Sequence, residues 1–410
     1  MAMSGRTSRD LRNSSRFDVV RAVYAAITPT RQELVELTGL SFATVSNIVN
    51  ELIGVGMLVE ASRENSNGGR PRVRLRVPPE RGQLVGVDVA ETYIHVDVFD
   101  AALTRQSRFE REITERSDPD YVLAEIAESI RAGTTDGDLT TVLGVGISLP
   151  GQVEPEAGVS VFAPNWAWRD VPVQSMLAER IPAPLYVDNP LKANTVAELW
   201  FGHGREVDDL VTINLGTGVG AGIAWHGDLL RGVSNNAGEW GHTTLIMDGR
   251  ECRCGRRGCV EAYVGVPGLI ASFEDAHPGH RYLRGGQTTF VRAVRAGLEA
   301  GEPEAQWMIE MFAHHLGAGL ANVVNMINPR RIVLCGWTVN LLGTWLLEPT
   351  RTRMIAESIS GSVAVTDLVL TAIPDRPVAL GMATLALQRF LEHVGLPSRP
   401  GRPLGAVPGR

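Results

Sequence analysis

The chain has 410 residues, 44% hydrophobic and 21% charged, with a formal charge of −7. That length implies two or three domains of ordinary globular composition, and the acidic total argues against a generic nucleic-acid binder. The charge is uneven, however: residues 1–80 hold eleven arginines and eight acidic residues, so a basic head precedes an acidic body, as expected where only the head meets DNA.

The first sixteen residues carry charge without an apolar core behind them, so they do not read as a secretory signal. Residues 1–12 are polar and expected to be disordered. From Ser14 to Ala26 apolar residues recur at helical spacing. Thr30-Arg-Gln-Glu33 is a capping box that should start a helix at Arg31, with Gly39 in the turn that follows. Ser41 can cap a second helix running to about Gly54, with Val45, Ile48, Val49 and Leu52 on its buried face. Helix, glycine-containing turn, helix is the helix-turn-helix pattern, and Ser41, Thr44, Ser46 and Asn47 are small polar groups able to reach base edges. Gly68-Gly69 reads as a hairpin tip, followed by alternating Arg70, Arg72, Arg74 and Arg76. That is the wing of a winged helix, with Arg70 and Arg72 available for phosphates or a minor groove. Residues 13–78 are therefore expected to form a winged helix-turn-helix domain that binds DNA as a dimer. A small helical packing domain with a solvated arginine hairpin is the bland alternative.

Pro78-Pro79 and Gly82 make a linker. Strands are expected at Leu84–Val89 and Tyr93–Phe99, a helix near Asp120–Ala132 and a buried strand at Val142–Leu149, which together imply an α/β domain with a mixed sheet. Leu210 to Gly227 lacks charge over eighteen residues, but five glycines interrupt it. A strand-turn-strand fits better than a membrane span, and the chain is expected to be cytoplasmic with no membrane partner. Its glycine-rich turn, GTGVGAG, could wrap a phosphate or simply make a tight β-turn.

Next come Gly238-Glu-Trp-Gly-His242 and then Cys252-Arg-Cys254-Gly-Arg-Arg-Gly-Cys259, which holds three of the chain's four cysteines. Three thiols plus His242 supply four soft donors with no open position, the set for a structural zinc ion. Free cysteines or a disulfide are the other readings, and clustered cysteines in an intracellular chain favour metal. A helix is expected over Glu304–Asn325, then a strand at Arg331–Leu334. A final helix near Val378–His393 should fold back, and residues 396–410, rich in Pro, Gly and Arg, should be disordered.

GEWGH and CRCGRRGCVE together resemble the signature of the ROK family, which mixes sugar kinases with sugar-responsive transcriptional regulators. The resemblance implies an actin-like (ribonuclease H-like) fold, with an N-lobe at 79–200, a C-lobe at 201–385 and the ligand in the cleft between them. It implies that Glu239, His242 and Glu261 contact a monosaccharide while His242 also ligates zinc. Phe162–Trp168, FAPNWAW, resembles the family segment whose Asn touches a sugar hydroxyl, which implicates Asn165. GRPR in the wing also resembles the regulators, and the kinases lack this head.

Kinases of the family carry D-x-G-G-T after the first strand, where backbone N–H groups meet ATP phosphates. Here it reads Asp88-Val-Ala-Glu-Thr92, without either glycine and with an added negative charge. The catalytic base belongs to V-E-N-D-A-N-x-x-A-x-G-E. Val187-Asp-Asn189-Pro190 matches it, with Asn189 a sugar contact and Pro190 at the base position, where it cannot take a proton. Shifting the register to reach Asp188 would break the fit at Asn189, Asn194 and Glu198. Three readings remain at this point. One is a regulator, a repressor of carbohydrate genes, sensing a monosaccharide with a catalytically dead kinase-like domain and acting on operator DNA as a dimer or dimer of dimers. The second is a kinase with an appended domain. The third is a regulator whose sensor no longer binds sugar and answers to a protein partner or phosphorylated metabolite.

Overall fold

The computed structural model describes residues 8–26, 28–64, 72–134, 137–373 and 375–393. The chain divides into two compact units: Met1–Trp200 with Arg376–Arg410, and Phe201–Asp375.

The first unit opens with α1 (Ser8–Ala25), α2 (Arg31–Thr38), α3 (Phe42–Gly54), β1 (Val59–Glu64) and β2 (Arg72–Arg76), the two strands pairing antiparallel. The capping box at α2 is present: Glu33 N donates to Thr30 Oγ1, and Thr30 N donates to the Glu33 carboxylate at 2.8 Å. Gly39 is left-handed at φ 67°, and Ser41 Oγ accepts from Thr44 N to start α3. Arg74 donates to Thr28 O at 2.8 Å, tying the β-ribbon to the entry of α2. Residues 8–12, expected as disordered lead-in, extend α1 instead. Arg9, Leu11 and Arg12 are good helix formers, so the helix reaches back beyond Ser14. Residues 1–7, the hairpin tip at Gly68-Gly69, Arg70 and the 396–410 tail lie outside the described residues.

The same unit continues through β3 (Gln83–Val89), β4 (Tyr93–Asp100), β5 (Arg105–Glu112), α4 (Pro119–Gly133) and β6 (Val142–Ser148). A small three-stranded sheet of β7 (Gln152–Glu154), β8 (Val159–Ala163) and β9 (Trp168–Val171) follows, then α5 (Val173–Ala178), β10 (Leu185–Asp188) and α6 (Pro190–Phe201). The main sheet runs β10-β6-β3-β4-β5, with β3 antiparallel to β4 and parallel to β6. β6, Val-Leu-Gly-Val-Gly-Ile-Ser, is buried along its whole length, as a strand covered on both faces must be. β5 was not expected. Its sequence, RQSRFERE, alternates exposed and half-buried positions at the sheet edge, where charge deters further pairing. Within this unit the head meets the sheet domain through Tyr24 of α1, whose ring lies 5.7 Å from that of Trp200 and whose hydroxyl donates to Ala101 O at 2.9 Å.

The second unit contains β11 (Leu210–Leu215), β12 (Val219–Trp225), β13 (Asp228–Leu229), α7 (Glu261–Val264), α8 (Val266–Ala276), α9 (Gln287–Glu299), α10 (Pro303–Ile327), β14 (Arg331–Cys335), α11 (Trp337–Glu357), α12 (Ser360–Val363) and β15 (Asp367–Leu370). Its sheet, β13-β12-β11-β14-β15, repeats the logic of the first: a central strand with an antiparallel hairpin on one side and parallel strands on the other. The uncharged run at 210–227 is the β11–β12 hairpin, and among the described residues no helix is long and apolar enough to cross a membrane. The chain then returns to the first unit as α13 (Pro377–His393). A Cβ on Gly86 would stand 1.8 Å from Ala379 O, and one on Gly146 2.1 Å from Met382 O. α13 thus lies in backbone contact with β3 and β6, an approach only glycine allows.

Candidate metal centre and ligand site

In the second unit the segment Gly238–His242 is pressed onto β12. A Cβ on Gly238 would fall 2.0 Å from Ala221 O, and one on Gly241 2.0 Å from Val219 O. Trp240 is buried between them, its indole N–H donating to Gly319 O at 3.1 Å. The two glycines and the tryptophan therefore fix where Glu239 and His242 emerge. The cysteine loop folds back on the same segment: Thr244 bridges to Cys259, and Val260 N donates to Thr243 O at 3.0 Å.

His242, Cys252, Cys254 and Cys259 converge, with their ligating atoms all within 4.8 Å of one another. A tetrahedral zinc with bonds of about 2.3 Å to sulfur and about 2.0 Å to nitrogen sets its ligand atoms roughly 3.5–3.8 Å apart. Cys254 Sγ and Cys259 Sγ are 3.7 Å apart, and Cys252 Sγ and His242 Nδ1 3.6 Å. The donor set thus fits a closed four-coordinate site. Burial pushes the Cys252 thiol up to about 12 and raises that of Cys259. Burial also opposes ionisation of Cys254, but hydrogen bonds from Arg256 N–H and the neighbouring thiols lower it. A cation among the four would stabilise all three thiolates.

Glu261, the first residue of α7, is buried beside this cluster. Val219 N donates to its Oε2 at 3.0 Å, Arg253 approaches its Oε1 at 3.5 Å, and Cys252 Sγ lies 3.7 Å from the same oxygen. Arg253 also donates to Thr217 O at 3.3 Å. A cavity of about 130 Å³ opens here, lined by Thr217, Arg250, Cys252, Arg253, Glu261 and Pro267 among others. Glu239 is exposed, and among the described residues its carboxylate has no hydrogen-bond partner.

In the first unit, Asn189 immediately precedes α6. Its Nδ2 donates to Gly151 O at 2.7 Å and its Oδ1 accepts from Leu191 N at 2.9 Å. Pro190 is the first residue of that helix, where a missing N–H costs nothing. The turn after β3, where the resemblance set phosphate-binding glycines against Ala90 and Glu91, is closed by Ala90 N donating to Tyr93 O at 2.9 Å. Burial lifts Asp88, just before it, to about 6, against the hydrogen bond from the Tyr93 hydroxyl. Asn165 is exposed, and its Nδ2 donates to Glu91 at 2.6 Å. This pairing was not legible in the sequence, because the partners stand 74 residues apart.

In the head, Ser41 and Thr44 hydroxyls bond each other at 2.8 Å at the start of α3, and Asn47 is exposed. Ser46 differs from expectation: its hydroxyl is buried without a partner, on the inward side of the helix, and does not face outward to meet a base. Arg72 begins β2.

Two mixed sheets built on one plan, with a Cys3His loop under a G-E-x-G-H segment whose four donors could hold a metal ion, define an actin-like protein, and the ROK family sequence profile matches residues 84–389. The chain belongs to the ROK family. It is similar to the xylose repressor of Caldicellulosiruptor bescii, 30% identical over 374 residues, covering 88% of this chain and 92% of that one. A solved ROK family transcriptional regulator, described as a homologue of the Escherichia coli Mlc protein, shares the fold across 94% of this chain and 99% of its own, with a TM-score of 0.77 and 23% identity. A ROK family glucokinase from Streptomyces griseus, solved with glucose and AMPPNP, matches at 28% identity and a TM-score of 0.67, covering 75% of this chain and 100% of that one.

Proposed function

We propose that this protein is a sugar-responsive, DNA-binding transcriptional repressor of carbohydrate uptake or catabolism genes. Its sensor domain descends from sugar kinases and no longer transfers phosphate. The observation that carries the reading is the start of α6, where Pro190 falls on the position that the family motif gives to the catalytic base, while Glu239, His242 and Glu261 persist on and beside the Cys3His loop. General-base catalysis needs a proton acceptor within reach of the sugar hydroxyl, and a proline ring offers none.

In this reading His242, Cys252, Cys254 and Cys259 hold a structural zinc ion, which supplies no catalytic chemistry and fixes the loop. His242 faces the thiols through Nδ1, so Nε2–H is left to donate to a sugar hydroxyl, while Glu239 and Glu261 accept. Asn165 and Asn189 are the candidate sugar contacts of the first unit. The head is a winged helix-turn-helix. Ser41, Thr44 and Asn47, with Arg70 and Arg72, are the candidate contacts to operator DNA, and the protein acts in the cytoplasm as a dimer or dimer of dimers. Coupling runs along α6, which follows directly on the candidate sugar contact Asn189 and carries Trp200, against which Tyr24 of the head lies. A ligand that displaces the start of α6 moves the surface on which the head rests.

A second reading has one observation in its favour. Asn189 spends Oδ1 and one hydrogen of Nδ2 on the backbone, which weakens it as a sugar contact and suits a sensor that answers to a protein partner.

The test is binding to the DNA upstream of the protein's own gene at fixed salt, with and without a panel of monosaccharides and their 6-phosphates. Specific binding released by one neutral sugar is the expected result. Specific binding that no small molecule alters would leave the regulator and move the sensor to the partner reading. Weak, salt-sensitive binding without specificity would overturn the DNA-binding head.

A further inference from the structure

The turn that lost its phosphate-binding glycines carries a side chain with a second connection. Glu91 accepts a 2.6 Å hydrogen bond from Asn165 Nδ2. An ionised carboxylate has acceptors only, so it faces the NH2 side of the amide and leaves Oδ1 turned away. The carboxylate thereby decides the polarity that Asn165 presents: an acceptor for a hydroxyl donor. The backbone beneath is held as well. Arg116 Nε donates to Asn165 O at 3.1 Å, Trp168 Nε1 donates to Arg116 O at 3.1 Å, and the Trp166 and Trp168 rings meet edge to face at 4.8 Å. Arg116 Nη1 also stands 3.9 Å from Glu91, so the guanidinium is drawn toward that carboxylate.

We propose that Glu91 is a positioning and discriminating residue of the sensor: it orients the Asn165 amide toward a hydroxyl of a neutral monosaccharide and disfavours phosphorylated sugars at the same place. The assignment rests on the sugar-sensor reading above. The physical reason for the second role is charge. A carboxylate beside the ligand repels a phosphate dianion, and by engaging Arg116 it also occupies the cation that would otherwise attract one. The substitution that disables a phosphate turn thus gains a purpose, because it biases the sensor toward the sugar before phosphorylation.

Two variants separate orientation from charge. Glu91→Gln keeps an acceptor for Asn165 Nδ2 and removes the charge, whereas Glu91→Gly removes both and frees Arg116. Titration calorimetry on the full-length protein would use a panel of neutral aldoses and the 6-phosphates of its hexoses. Glu91→Gln should hold the neutral sugar within a few-fold of the unaltered protein, and Glu91→Gly should weaken it about tenfold, on the scale of one charge-assisted hydrogen bond. Both should gain affinity for the 6-phosphate. Equal neutral-sugar affinity in Glu91→Gly, or no gain for phosphates in either variant, would overturn the proposal even with the sensor reading intact. A second measurement needs no ligand: with asparagine-selective 15N labelling, the Asn165 side-chain amide should exchange slowly in the unaltered protein and Glu91→Gln and rapidly in Glu91→Gly. An Asn165 amide that is the same in all three would overturn the orienting role. Slowed exchange in a protein that binds no aldose would instead uphold the pairing and overturn the sugar-sensor reading.

Discussion

The turn after β3 and the turn after β11 occupy the same place in two sheets of the same plan, yet they have been treated differently. In the first unit, Ala90-Glu91-Thr92 has no glycines and closes as a plain hairpin. In the second, Gly216-Thr217-Gly218 keeps them. The reason lies in what sits against each. A Cβ on Gly216 would stand 2.8 Å from the Trp337 indole nitrogen, and one on Gly218 3.3 Å from an Arg253 nitrogen and 3.4 Å from Glu261 Oε2. The next residue, Val219, donates its N–H to Glu261. The second glycine turn thus has a structural task in seating Glu261 whether or not a phosphate ever reaches it. A motif that looks like a nucleotide loop can persist for reasons unrelated to nucleotide, and its survival here is no argument for a kinase.

The largest expected effect tests the better-preserved half. Cys254→Ser should abolish metal binding and, because a closed zinc site contributes folding energy directly, cost on the order of several kcal/mol. Metal analysis and thermal melts check this, and unchanged metal content would break the comparison at its root. Next, Gly241→Ala should cost about 2–3 kcal/mol through the forced approach to Val219 O, whereas Ala90→Gly should stay within about 1 kcal/mol. Denaturant unfolding of the pair measures how unequally the two halves are constrained.

A smaller effect concerns acid. His315 of α10 packs 5.1 Å from the Tyr263 ring, whose hydroxyl accepts from Arg250 N beside the cysteine loop. Burial, then the neighbouring His314 and Arg250 charges, push His315 down to about 4. The unfolded chain takes up that proton near its ordinary value of about 6.5, so between these values the unfolded state binds more protons and stability falls as pH drops. Above that window the residue contributes no pH dependence. His315→Gln should flatten this part of the profile in equilibrium unfolding from pH 7 to 4, and an identical slope in both proteins would remove His315 as the cause. Smallest of all, Pro190→Asp alone should yield no sugar-dependent ATP turnover, because the first turn still lacks glycines and carries Glu91. Measurable turnover in a coupled assay would show that the base, and not the turn, separates the two classes.

What could be read in the sequence was local or repeated. Thr30 and Glu33 are three residues apart and announce a helix start by themselves, and the Cys3His spacing states its chemistry within eighteen residues of chain. The hidden features depend on long-range pairing or on facing. The edge strand β5 shows no apolar alternation, because its role is to end a sheet. Ser46 looks like a base contact until the register of α3 turns its hydroxyl inward. The Glu91–Asn165 bond leaves no trace in either local segment, and the only clue was that an acid stood where a glycine was expected.

The return of the chain as α13 has a consequence for how the protein is made. β3 and β6 leave the ribosome early, but the helix that meets Gly86 and Gly146 is encoded after the entire second unit. At elongation rates of roughly 5–20 residues per second, the nascent first sheet waits on the order of ten to forty seconds for its last layer. Through that interval the face of β3 and β6 that α13 will cover stays open to chaperones and to aggregation, so the first unit to emerge cannot be the first to finish folding.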